Sequence, residues 1–133
     1  MPRGSVQRAR FGELCVFRHL HTILRQGSIP LVVQGDGCDD VSGWSVEWVN
    51  EQGESGLPFD IRLKGPSKEM FIEVKTTDQM NKRVFEISLN ELQCAREKAE
   101  DFFIARLFLQ VPPRMGRAAP GARRCAVYRS VSG

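Results

Sequence analysis

The chain has 133 residues, 41% of them hydrophobic and 26% charged, with 19 lysines and arginines against 16 acids; that size suits one domain with its own core and is too short for two. Apolar runs such as 31–33 and 102–105 fall far short of the roughly 20 residues that span a bilayer, which excludes a helical membrane protein. The first residues lack the apolar stretch of a secretory signal, and Cys15, Cys38, Cys94 and Cys125 include no Cys-x-x-Cys pair for zinc, so an intracellular, reduced chain is expected.

In chain order, Phe11, Leu14, Cys15, Phe17, Leu20, Ile23 and Leu24 recur at three- and four-residue intervals. They predict an amphipathic helix over 6–26, stopped by Gly27 and Pro30. His19 and His21 are two apart on that helix and point to different faces, so they do not share a metal. Residues 27–43, rich in glycine and aspartate, read as a loop with a brief extension at 31–33. Trp44, Val46 and Trp48 alternate along a strand expected at 45–50, which makes both indoles packing residues rather than base-stacking platforms. Strands follow at 58–64 and 70–77, joined by a turn at Gly65-Pro66-Ser67.

Residues 78–82 are polar and predict a turn, and Val84, Phe85 and Ile87 predict a short fourth strand. Ser88 and Glu91 have the spacing of a capping box for a helix reaching to about residue 101. The run 102–111 is apolar on both faces and reads as a central strand. The sum is a mixed α/β fold, with a central sheet of about five strands flanked by helices. Beyond 111 the chain becomes rich in proline, glycine, alanine and arginine. The domain is therefore placed at 6–111, with a basic low-complexity tail at 112–133 and a short edge strand within it at 126–129.

Charge is unevenly spread. Residues 1–30 carry five arginines against Glu13 alone, 31–60 carry seven acids and no base, and 111–133 carry five arginines and no acid. An acidic middle suits a cation and basic flanks suit phosphate, although a solvated surface without a partner accounts for them equally well.

The chemistry concentrates on the two strands joined by the 65–67 turn. Asp60 lies on the first; Glu73 and Lys75 lie on the second, returned to one face by a strand's period of two. Once the turn brings the strands together, two carboxylates and one ammonium converge. Asp60, Glu73 and the carbonyl of Val74 supply half the oxygen shell of a hard cation such as magnesium or manganese. Lys75 can orient an attacking water and offset developing negative charge, the alternative being a surface salt bridge of little value.

The spacing Asp…Glu-x-Lys is that of the PD-(D/E)xK nucleases. Further blocks surround it: Arg10-Phe11-Gly12-Glu13 on the first helix, Trp48-Val49-Asn50-Glu51 before the Asp strand, and Phe85-Glu86-Ile87-Ser88-Leu89-Asn90-Glu91-Leu92 after the Lys strand. Their order resembles the NO VEIN C-terminal domain family, a branch of that superfamily, over residues 11–109. The resemblance implies a restriction-endonuclease-like core and a magnesium- or manganese-dependent nuclease. Asp60, Glu73, Lys75 and Glu13 would be its catalytic residues, and Asp60, Glu73 and Val74 its metal ligands. It implies nucleic acid as partner, DNA or RNA, and attachment to helicase or Hsp90-like ATPase modules in a larger protein. Double-strand cutters of this fold often need two sites, so the resemblance also allows a homodimer, with the oligomeric state left open by the residues.

Some roles stay open on the residues alone. Glu13 either reaches the metal's water shell or pairs with Arg10 or Arg18. Asn50, Glu51 and Glu54 either hold the turn before Asp60 or add charge to the cation site. Glu91 reads as a helix cap, and Thr76 and Thr77 as phosphate contacts or simply β-formers. The rival functions are a non-catalytic nucleic-acid-binding module and a protein-interaction module that keep the same fold.

Overall fold

The computed structural model describes residues 2–27, 43–109 and 124–129. Most of the loop expected at 27–43, the last two residues of the strand expected at 102–111 and most of the tail at 112–133 lie outside the described residues. Two helices and five strands form a mixed α/β unit: α1 (Pro2–Arg25), β1 (Ser45–Trp48), β2 (Ile61–Lys64), β3 (Glu69–Thr77), α2 (Leu89–Lys98), β4 (Phe102–Phe108) and β5 (Arg124–Arg129). The sheet order follows the chain, β1-β2-β3-β4-β5. All neighbours are antiparallel except β3 and β4, which are parallel.

That one parallel pair explains α2. Antiparallel strands close through a short turn, as β2 and β3 do where the Gly65 amide donates to the Lys68 carbonyl at 2.8 Å. A parallel neighbour needs a crossover, and α2 with its following 3-10 turn, Ala99–Asp101, supplies it. Ser88 caps α2 as its spacing predicts: its side chain accepts from the Glu91 amide while the Glu91 carboxylate accepts from the Ser88 amide.

Each helix covers one face of the sheet. Val16 and Leu20 of α1 pack on Ile61, Leu63, Met70, Ile72, Val74, Phe103 and Ala105. Cys94 and Ala95 of α2 pack with Phe59, Phe71 and Phe102 on the other face. The alternation Met70, Ile72, Val74 against Phe71, Glu73, Lys75 is thus a division between two covered faces, both partly dry.

Three expectations need correction. The strand at 58–64 is only 61–64, because the chain rotates at Asp60: Phe59 joins the α2-side cluster although Ile61, of the same parity, joins the α1 side. The strand at 84–87 does not form. Residues 82–88 have no regular structure, and Val84 is 77% exposed. Both edges of β4 are already paired, so this segment finds no ladder there; Arg106 of β4 instead donates to its Lys82 and Val84 carbonyls at 3.0 and 3.4 Å. The first helix starts at Pro2 rather than near residue 6.

Gly12 sets where α1 crosses the sheet. A Cβ at this position would collide with the Thr76 side chain of β3, so only glycine lets the helix approach this closely. The next residue, Glu13, is thereby held over the end of β3.

Candidate functional site

Asp60, Glu73, Lys75 and Glu13 come together, through Asn50, into one buried polar chain. At its head, Glu13 Oε1 accepts from Trp48 Nε1 at 2.9 Å and from Asn50 Nδ2 at 3.0 Å. The same Asn50 nitrogen donates to Asp60 Oδ1 at 2.9 Å. Asp60 Oδ2 accepts from the Val74 backbone amide at 2.8 Å. Glu73 is the next carboxyl in the cluster, near enough that, after burial, the Asp60 charge raises its pKa. Lys75 Nζ stands 3.3 Å from Glu73 and 2.8 Å from Glu91.

The rotation at Asp60 makes this possible. Its backbone still pairs, with its amide donating to Ile72 and its carbonyl accepting from Val49. Its side chain then takes the Val74 amide, the next ladder donor along β3, where the β2 backbone has turned away. A strand residue's N–H and C=O face the same side, so the Val74 carbonyl looks toward the edge where Asp60 sits.

Asn50 is the residue whose role the sequence did not fix. It is 3% exposed, and its amide nitrogen bridges two carboxylates while its oxygen accepts from the Ser55 amide and hydroxyl at 3.0 and 2.7 Å. It therefore both holds the turn before Asp60 and aims the acid. Arg10 fixes the same turn by donating to the Asn50 and Glu51 carbonyls at 3.0 and 3.2 Å, with its guanidinium over the Trp48 ring. Glu51 and Glu54 are exposed and add nothing to the cluster. Glu13 takes amide and indole donors, which decides its structural pairing against Arg10 and Arg18. Glu91 is a helix cap, as read, and also a partner of Lys75, which the reading missed: a capping-box Glu directly after a Glu-x-Lys strand was the available signal. Thr76 packs on Gly12, and Thr77 accepts from the Gln79 amide at 3.2 Å.

Four neighbouring carboxylates, Glu13, Asp60, Glu73 and Glu91, against the Lys75 ammonium leave the site short of positive charge. Burial first, then the charge of Glu13, pushes Asp60 up to about 7. Burial and then the charge of Asp60 push Glu73 up to about 10. The pair therefore retains a proton near neutrality. Burial alone would lower the Lys75 pKa, but the hydrogen bond and charge of Glu91, with the charge of Glu73, outweigh it and hold the ammonium above its ordinary range. Burial would likewise raise Glu91, and Lys75 reverses that, holding it below the usual range.

A pair of carboxyls that must keep a proton is a pair that a divalent cation can discharge. The donors are all oxygen: Asp60, Glu73 and the Val74 carbonyl, a set that suits magnesium or manganese. Among the described residues no three His, Cys, Asp or Glu side chains converge to hold an ion by themselves. The residues that could hold a cation here are thus two carboxylates and a backbone carbonyl, with water for the rest of its shell.

Together these features make a mixed α/β domain whose Asp60, Glu73 and Lys75 side chains gather beside β3. The chain belongs to the family described as Protein NO VEIN, C-terminal, whose pattern matches residues 12–116. It is similar to Protein NO VEIN of Arabidopsis thaliana, 42% identical over 66 residues that make up 48% of this chain and 2% of that protein. The similarity to Protein NO VEIN-LIKE of the same plant is also 42% over 66 residues, covering 48% of this chain and 10% of that protein. The chain thus spans a small part of the curated relatives it matches. No solved structure matches it significantly.

Proposed function

We propose that this domain is a restriction-endonuclease-like module that hydrolyses phosphodiester bonds in nucleic acid with the help of magnesium or manganese. One observation carries the reading: the buried carboxyls of Asp60 and Glu73 gather on one side of β3 with the Lys75 ammonium 3.3 Å from Glu73, in a cluster with more acids than cations. Asp60, Glu73 and the Val74 carbonyl would hold the metal, which when bound polarises a phosphoryl oxygen and makes water acidic enough to attack near neutral pH.

The chain's own residues do the rest. Asn50 and the Val74 amide fix both oxygens of Asp60, so the carboxylate needs no reorganisation before it acts. Glu13 anchors the Asn50 amide that aims Asp60 and is a positioning residue. Lys75 orients the attacking water and faces the charge that grows on the phosphoryl group. Glu91 keeps Lys75 protonated and pointed at Glu73. Attachment to a helicase or Hsp90-like ATPase module extends this proposal to the full-length protein.

A second reading has its own support. Lys75 is already paired on both sides and the acids are buried, as a purely structural polar cluster would be. Divalent-cation titration of rigorously purified protein, with cleavage assays on single- and double-stranded DNA and RNA, separates the two. The hydrolase gives metal-dependent products that vanish in Asp60→Asn and Glu73→Gln. Absence of cleavage on every substrate, with no metal-induced rise in melting temperature, gives the cluster to the structural reading.

A further inference from the structure

Beside Lys75 a groove of about 490 Å³ opens between the end of β3, the 78–82 turn and the 84–86 segment. That volume lies in the range of small-ligand sites, about 300–1,000 Å³. Four cationic side chains line it, Arg8, Lys75, Lys82 and Arg106, against Asp78 and Glu86. Its aromatic wall is Phe85, which Arg106 fixes: the guanidinium lies 5.4 Å from the Phe85 ring while it bonds the Lys82 and Val84 carbonyls. Among the described residues Arg8 pairs with Asp78 at 3.1 Å, with both side chains more than a third exposed. An ion pair this wet is weak, and a guanidinium with five donors can add a phosphate without leaving its partner.

We propose that this groove holds one nucleotide of a single nucleic-acid strand next to the scissile bond, with its phosphate between Arg8 and Lys82 and its base against Phe85. The position relative to the scissile bond rests on the hydrolase reading; the ligand chemistry does not. Cations on the rim and one ring on the wall match a phosphate and an unstacked base together. Bases in a duplex stay stacked inside the helix and cannot reach such a wall, whereas single strands splay theirs onto aromatic side chains.

The test is fluorescence anisotropy of labelled single-stranded and duplex oligonucleotides with the full chain in EDTA, which stops cleavage. Single strands bind more tightly than duplex. Lys82→Ala and Arg8→Gln each weaken binding and lower the salt slope by about 0.7, the value for one phosphate on a single strand. Phe85→Leu weakens binding by about tenfold with the slope unchanged, and Phe85→Tyr restores it, which separates stacking from packing. Duplex preference, no binding, or a neutral Phe85→Leu overturns the groove. Metal-dependent cleavage with these variants unaffected sinks the groove and leaves the hydrolase standing. Weakened single-strand binding without cleavage in any divalent cation does the reverse.

Discussion

The two halves of β3 have the same backbone and opposite chemistry. From Met70 to Ile72 the strand is apolar and paired with β2, and from Phe71 also with β4. From Glu73 to Lys75 it keeps β4, but its other edge faces the Asp60 carboxylate in place of a β2 ladder. One half closes the ladder; the other gives up ladder bonds to hold charges out of water. Burying ionisable groups costs free energy that hydrophobic neighbours would not, and such costs are retained where chemistry needs them. The halves should therefore respond to substitution in opposite ways.

The largest effect is expected in the apolar half. Ile72 is fully enclosed, so Ile72→Ala should cost about 2–5 kcal/mol in a urea melt, through lost burial and the cavity left behind. Glu73→Gln, one residue on, should leave metal-free stability equal or improved, because it removes a carboxyl that burial and Asp60 both penalise. A loss at Glu73→Gln as large as that at Ile72→Ala would mean that the two halves are both structural.

Next is the loss of function at Lys75. Lys75→Met keeps length and strand compatibility, so folding and the metal-dependent rise in melting temperature should survive. Cleavage should fall by roughly a hundredfold or more, since a positioned charge acts chiefly on the transition state. Unchanged cleavage in the purified variant would remove Lys75 from the site. Magnesium or manganese should raise the melting temperature of the parent chain and fail to do so in Asp60→Ala or Glu73→Ala, and an equal shift in all three would put the ion elsewhere.

The polar half also predicts how metal-free stability moves with pH. Asp60 and Glu73 have folded pKa values of about 7 and about 10, above the ordinary 3.8 and 4.5. The folded state therefore binds more protons than the unfolded one across that window, and stability falls as pH rises. The contribution is complete below about pH 4; Asp60 loses its share by about 7 and Glu73 by about 10. Saturating magnesium, which takes the proton's place, should stabilise more at pH 8 than at pH 5. Chemical melts across this range check the sign, and stability rising from pH 5 to 8 without metal contradicts the shared proton.

The apolar half was readable from sequence because period-two alternation and a Gly-Pro-Ser turn determine a hairpin almost alone. Asp60, Glu73 and Lys75 were readable as a spacing. What could not be read was how they connect, since Asn50 reaches Glu13 from 37 residues away. Periodicity cannot say that Asp60 will rotate out of its strand, because that depends on the Val74 amide being free to receive it. The false strand at 84–87 shows the converse: β-prone residues formed no strand because the ladder beside them was already taken by β5, which covers the short edge strand expected at 126–129 within the tail.

The smallest effect tests whether α2 belongs to the polar half or merely covers it. Ser88 and Glu91 close the capping box, and Glu91 alone also reaches Lys75. Ser88→Ala should cost about 0.5–2 kcal/mol through the lost cap, a fall of a few degrees in melting temperature, with little change in cleavage. Glu91→Gln retains a residue that serves a capping box equally well, yet removes the charge that holds Lys75. Stability should change less than in Ser88→Ala, while the Lys75 pKa, followed by NMR of its side chain, should fall. Equal behaviour of the two variants in melting temperature and in the Lys75 titration would make Glu91 a cap alone and leave Lys75 oriented by Glu73.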